Sequence, residues 1–373
     1  MVTVLIAPDK FKGSLSASEV ADTLAQELSA AGLDVRTLPL ADGGDGSVAA
    51  ALAAGYTADQ VSVQGATGLD HTAAIAIRGD TAVVEIANTC GLGTLPGMAS
   101  AALDASSYGF GQAIRHAADA GAQRIVLALG GSASSDAGIG MLAALGFRYF
   151  DHLGAELPPI ARSLGVIHRI EFTGSLGAEL IIACDVTNPL RGPAGAAAVY
   201  GPQKGATAAD IETLENGYDN FIVALARSGW VDAASVAELS GAGAAGGCGF
   251  AAALLGARIV SGAGFFLDLL GFDRHCAQAD LVITGEGRLD TQTLSGKLPA
   301  VVARRASPKP VVAVVGKDDL DGGGGSTFAD VFAVSRYSRG DTATDPHETR
   351  RALTLIAAEI ATVAVLEKVS ATR

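Results

Sequence analysis

Glu286, Arg288, Asp290 and Lys297 stand close together, directly after the apolar run Leu281-Val282-Ile283 and with Gly285 and Gly287 bracketing the glutamate. The pattern recurs near the N-terminus. Asp9, Lys10 and Lys12 follow the run from Val2 to Ala7, and Asp42 and Asp45 sit in the glycine-rich turn from Ala41 to Ser47. A single acid of this kind is simply read as a satisfied turn carboxylate. Acidic tips on three strands of one sheet are different, because clustered carboxylates repel unless a cation joins them. Oxygen-only donors point to Mg²⁺. The lysines and the arginine on the same loops suit an anionic substrate or a phosphate in transfer.

Gly130-Gly131-Ser132-Ala133-Ser134-Ser135 lies between an expected strand and an expected helix, so its backbone N–H groups could cradle a phosphate. The same string also serves as a plain turn that uses glycine for backbone freedom, and both readings stay open. Gly241-x-Gly243-x-x-Gly246 matches a dinucleotide fingerprint as a string, yet Val231 to Leu239, with Asp232, Glu238 and several alanines, is no strand. A Rossmann cofactor site is rejected; a loop that lets a backbone approach a ligand remains. The chain has no G-x-x-x-x-G-K-[ST], H-E-x-x-H or G-x-S-x-G motif, and its six histidines lie outside every glycine-rich loop. Serine–histidine hydrolysis and histidine-held metal chemistry lose support accordingly.

With 373 residues the chain is long for one core, and two domains are expected. Its 49% hydrophobic and 17% charged residues fit a globular protein. The net charge of -13 argues against a broad nucleic-acid surface while allowing a local basic pocket. Four scattered cysteines without a C-x-x-C pair give no zinc or redox motif, and reduced thiols are expected. Met1 leads straight into the first strand, and the longest uncharged window, Leu239 to Ala257, is mostly glycine and alanine. A cytoplasmic protein with no nucleic-acid and no membrane partner is expected.

Holding these residues in place takes a sheet that opens at one edge. Val2 to Ala7 and Val35 to Leu40 read as buried parallel strands. The helix between them begins with a capping box at Ser16 and Glu19, turns Val20, Leu24 and Leu28 to one face, and stops at Gly32. From about Gln60 the runs Val61–Val63, Ala73–Ile77 and Ala82–Ile86 alternate with Gly-Asp turns, as in an antiparallel meander. Further strands are expected at Arg124–Leu129 and Leu180–Cys184, and a long helix at Ala208–Arg227. After residue 275 buried runs return at Leu281–Ile283, Val311–Val315 and Val331–Val334, closed by a helix from His347 to Lys368. The expected fold class is α/β: a doubly wound parallel sheet of order 2-1-3-4-5 from residues 1–64 and 275–373, split by an inserted mixed α/β domain of residues 65–274. Gly322 to Gly325 reads as a flexible loop tip.

Several of these segments together resemble the bacterial type-1 glycerate kinases: Ile6 to Ala17, Ala41 to Gly46, Gly130 to Ala133, Ala183 to Leu190, Tyr200 to Ala206, Gly241 to Gly247 and Asp280 to Gln292. They span nearly the whole chain in order. Asp45 and Ser47 stand where that family usually has glutamate and threonine, and Ser134-Ser135-Asp136-Ala137 replaces the commoner threonine-asparagine-aspartate-glycine. The resemblance implies a two-domain kinase without a P-loop, using ATP and Mg²⁺ to phosphorylate D-glycerate, typically at O2. The parallel sheet would then be a flavodoxin-like domain, with the active site expected in the cleft between it and the insertion. On this basis Asp185 and Asp290 are the candidates to orient and deprotonate the hydroxyl, with Lys12 a third catalytic group. Asp9, Lys10, Asp42, Arg288 and Asn188 are expected on the glycerate. Gly130, Gly131, Ser132, Ser134, Lys204 and Lys297 are expected on the phosphates, and Asp42 and Glu286 on Mg²⁺ or its waters. The alternatives are a kinase for another small hydroxy acid, one specific for O3, or a two-domain protein that binds an anion without chemistry. A monomer or a homodimer fits either.

Overall fold

The computed structural model describes residues 2–95, 102–294, 296–320 and 327–371; the expected loop tip at Gly322 to Gly325 lies outside the described residues. Its strands, in chain order, are β1 (Thr3–Pro8), β2 (Asp34–Thr37), β3 (Thr57–Gln64), β4 (Asp70–Arg78), β5 (Thr81–Glu85), β6 (Arg124–Ala128), β7 (Phe147–Phe150), β8 (Arg169–Phe172), β9 (Glu179–Ala183), β10 (Arg258–Val260), β11 (Leu281–Leu289), β12 (Val311–Asp318) and β13 (Asp330–Ala333). The chain divides into two units: Met1–Asp42, Ala49–Ala54 and Ala263–Arg373 form the first, and Gly43–Val48 and Gly55–Gly262 the second.

The first unit is a five-stranded parallel sheet of order β13-β12-β11-β1-β2. Counted within the sheet this is 2-1-3-4-5, the flavodoxin-like order. Val4, Ile6, Ile283, Val312 and Val314 are buried under the helices Ala17–Ala30 and Pro346–Ala371, whose Val20, Leu24, Leu28, Leu353 and Ile356 complete that core. Parallel strands covered on both faces need such near-continuous apolar runs. The first helix begins as its sequence predicts: Glu19 N donates to Ser16 Oγ at 3.3 Å, and Ser16 N to the Glu19 carboxylate at 2.9 Å.

One strand end is corrected. Gly285 and Gly287 do not end β11, which runs on to Leu289 beside β12 with Glu286 opposite Val315 and Arg288 opposite Lys317. A Cβ at Gly285 would strike the Val314 carbonyl, so this glycine serves the close approach of two strands and not a turn.

The second unit carries a six-stranded mixed sheet, β10-β9-β6-β5-β4-β3, and the hairpin pair β7-β8. β3, β4 and β5 form the expected antiparallel meander, while β5, β6, β9 and β10 run parallel. The units change at residues 42–55 and 262–263, earlier than the 64–65 and 274–275 read from the sequence. The polar start of β3, Thr57-Ala58-Asp59-Gln60, gives no strand signal. The helices Gly262–Leu270 and Phe272–Ala277, with Phe266, Leu267 and Phe272 buried, carry no strand texture to mark the return. Cys90, Cys184, Cys248 and Cys276 are free thiols.

Candidate active site

Strands β1, β11 and β12 end at a pocket of about 520 Å³ in the first unit. Asp9, Asp42, Glu286 and Asp290 line it, and so do Lys10, Lys12, Arg288 and Lys297. The acids and bases singled out in the sequence are thus brought together, apart from Asp45, which belongs to the second unit.

Asp9 is buried, accepts from Lys10 N at 2.7 Å and lies 3.5 Å from Lys10 Nζ. Burial, then the neighbouring Asp42, pushes its pKa up to about 7 against the pull of Lys10. Glu286 is also pushed up to about 7 by burial, although Thr293 Oγ1 donates to its Oε1 at 2.5 Å. Asp290 accepts from Thr293 N at 3.0 Å and pairs with Lys297 at 3.3 Å, while its own N–H donates to Thr293 Oγ1 at 3.1 Å. This reciprocal cap starts the short helix Thr291–Leu294 and fixes Thr293 between the two acids. Arg288 pairs with Asp319, which also holds Lys317 at 2.9 Å. Lys12 is exposed and, among the described residues, has no hydrogen-bond or ion-pair partner.

Among the described residues no three His, Cys, Asp or Glu side chains stand so as to hold a metal ion. Of the pocket's carboxylates, Asp42 and Glu286 are the two expected on the ion, and among the described residues there is no protein-made cage. That donor set fits Mg²⁺, which ordinarily keeps several waters and arrives on phosphates.

The second unit holds a different cluster. Lys204 is buried, and its ammonium donates to Ser132 Oγ at 2.8 Å and to Ser134 O at 2.5 Å. Among the described residues no carboxylate lies within ion-pair distance of it. Burial pulls its pKa down to about 8. The hydroxyls of Ser134 and Ser135 are buried without a partner. Three of the loop's backbone groups are occupied: Gly130 N–H points at Gly43 O at 3.4 Å, Ala133 N–H donates to Cys90 O at 2.9 Å, and Gly131 O accepts from Leu92 N at 2.9 Å. Asp136, fully buried, accepts from Ser107 N and Oγ (both 2.8 Å) and from Gly138 and Gly140 N, so it anchors the loop's end; burial raises its pKa.

Ala137 and Ala245 both hold left-handed backbone, with φ of 53° and 54°. Ala137 stands where the resembling sequences have glycine, and its N–H donates to Gly246 O at 2.9 Å. A Cβ at Gly246 would meet Ser134 O, so the Gly241–Gly247 string makes room for the 130–137 loop itself and not for a dinucleotide.

Of the residues expected in catalysis or on the glycerate, Asp185 and Asn188 are not in the pocket's lining. Asp185 belongs to the second unit, where its Oδ1 accepts from Ser261 Oγ at 2.9 Å and Gly262 N at 3.0 Å. Asn188 gives both ends of its amide to the protein, Nδ2 to Ala194 O and Oδ1 to Tyr200 OH, both at 2.7 Å. Thr293 and Lys317 escaped notice in the sequence. Asp290-x-x-Thr293 carries a helix-start spacing, and Lys317 follows the Val311–Val315 run as Arg288 follows Leu281–Ile283, so a signal existed for both.

Among the described residues no helix is long and apolar enough to cross a membrane. The family profile described as "Glycerate kinase family" matches residues 4–365. A glycerate kinase of Bacillus subtilis is 39% identical over 331 residues, covering 85% of this chain and 86% of its own. A glycerate 2-kinase of Escherichia coli is likewise 39% identical over 331 residues, with the same shares covered. A solved structure of a candidate glycerate kinase 2 from Salmonella typhimurium LT2 superposes with a TM-score of 0.83 at 37% identity, over 98% of this chain and 99% of that one. The matches run through the parallel sheet, the acid–base pocket and the loop of the buried lysine alike: the chain belongs to the glycerate kinase family and is a kinase.

Proposed function

We propose that the protein transfers the γ-phosphoryl group of ATP to O2 of D-glycerate, giving 2-phosphoglycerate and ADP. The observation that carries this reading is Lys204: a buried ammonium with no carboxylate in reach, beside two buried hydroxyls without partners. Such a group is stabilised by an incoming anion, and the phosphates of ATP supply one. Lys12, Lys10 and Arg288 bind the glycerate carboxylate in the first unit's pocket, and Lys297 neutralises charge on the transferred group. Asp290, which Lys297 and Thr293 hold, takes the hydroxyl proton as O2 attacks the phosphorus and the bond to ADP breaks. Mg²⁺, when bound, neutralises phosphate charge, and Asp42 and Glu286 would hold it or its waters.

Purified protein given ATP, Mg²⁺ and D-glycerate tests this, with the products resolved. Formation of 2-phosphoglycerate, abolished by chelator and restored by Mg²⁺, is the expected result. 3-Phosphoglycerate alone would move the transfer to O3. Binding of D-glycerate with no turnover would make the protein an anion binder and overturn the proposal.

A further inference from the structure

We infer that Arg288 and Lys317 together form an oxyanion subsite on the wall of the pocket, with Asp319 as the internal anion that occupies it in the absence of substrate. The inference rests on the reading of the protein as a D-glycerate kinase.

Arg288 and Lys317 are register partners on β11 and β12, so the sheet sets two positive side chains next to one another. Like charges at neighbouring positions of a sheet repel. Asp319 offsets them. Its backbone N–H donates to Leu289 O at 3.0 Å, which fixes its place just past β12. One carboxylate oxygen takes the Arg288 guanidinium, and the other takes Lys317 Nζ at 2.9 Å. Two cations on one carboxylate leave one positive charge uncompensated, and among the described residues neither cation has another partner. Both cations line the 520 Å³ pocket, and Asp319 does not. The exposures agree: the Arg288 and Lys317 side chains are 65% and 64% exposed, Asp319 only 22%. The two cations face the cavity, and the carboxylate that joins them lies outside its lining.

A planar fork beside a point charge suits the oxygens of a carboxylate or a phosphoryl group. Both substrates carry that chemistry, and the test separates them. Lys317→Gln is expected to raise one KM about tenfold: that of D-glycerate if the subsite takes the carboxylate, that of ATP if it takes phosphates. Lys317→Arg restores it. Asp319→Asn removes the internal competitor and is expected to lower the same KM two- to threefold. Unchanged KM values for both substrates in Lys317→Gln, or a fall in kcat alone, overturn the subsite. A raised KM in Asp319→Asn overturns Asp319 as placeholder and makes it a positioning residue. If the unaltered protein turns over no D-glycerate, the functional reading fails, and calorimetry with inorganic phosphate decides the subsite: weaker binding in Lys317→Gln supports it, and equal binding rejects it.

Discussion

The two charged clusters solve opposite problems. In the first unit's pocket most cations already have an anion: Lys10 has Asp9, Lys297 has Asp290, and Arg288 shares Asp319 with Lys317. Apart from buried Asp9 these groups are partly exposed, and ion pairs of that kind are weak enough to exchange partners. In the second unit Lys204 is buried, and its hydrogen bonds go to neutral oxygens. A desolvated charge without a counter-ion destabilises the empty protein and raises the gain when an anion binds. The pocket is built to exchange ligands. The lysine is built to hold one.

The largest effect is expected of Lys204→Met, which keeps length and removes charge. Its kcat/KM for ATP is expected to fall by roughly 10² to 10³. The melting temperature should stay level or rise, because a buried charge is replaced by an apolar side chain. A lowered melting temperature with ordinary ATP kinetics would make Lys204 a structural residue. The contrast would then collapse.

Asp290→Asn comes next, with a fall in turnover of about a hundredfold. Asparagine still accepts from Thr293 N and caps nearly as well as aspartate, so the melting temperature should change little. Near-normal turnover would leave Asp290 as a cap alone and pass the base role to Asp185.

A pH profile sharpens the same contrast at roughly tenfold per pH unit. Asp9 and Glu286 ionise near 7, and Lys204 loses its proton near 8. A rate needing charged carboxylates in the pocket and a charged lysine in the loop rises through about 7 and falls above about 8. Lys204→Met should flatten the alkaline limb and spare the acid one. Stability follows two of these groups, Asp9 and Lys204. Asp9 is raised, so its stabilising contribution is full below about pH 4 and lost as pH rises to about 7. Lys204 is lowered, so its penalty is full below about 8 and relieved as pH climbs toward 10.5. Between pH 7 and 8 both penalties are in force, which places the active window where these two groups destabilise the fold most. A rate at about pH 7.5 no higher than at about pH 6.5 and about pH 9 would refute this account.

Much of the first unit could be read from sequence because its signals are local. Five apolar runs, one capping box and charged residues placed just after each run give the sheet, its order and most of the pocket. The loop around Lys204 could be read only in part. Glycines and serines at 130–135 suggested a phosphate cradle, but the feature that argues for one is a lysine without a carboxylate, and absence of a partner is a tertiary fact. The partners of Asn188 were hidden in the same way: Ala194 and Tyr200 take its amide, and nothing in the spacing announces them. Ala137 shows a local rule overridden. Its left-handed φ favours glycine, yet Asp136 on one side and Gly246 O on the other hold it there.

The smallest expected effect separates two serines of one loop. Ser132 Oγ accepts from Lys204 at 2.8 Å, so Ser132→Ala removes an oxygen from a buried ammonium and should destabilise the protein. Ser134 Oγ is buried with no partner. Ser134→Ala deletes a polar group that already carries its desolvation penalty, and should leave the empty protein level or up to about 1 kcal/mol more stable. If the loop receives phosphate, that hydroxyl is a waiting donor, and its loss should raise the KM for ATP about threefold. Opposite stability signs with a shared rise in KM are the signature of a cradle held open for an anion. A Ser134→Ala variant with lowered stability and unchanged KM would mean that the hydroxyl serves the fold, and the loop would return to being a turn.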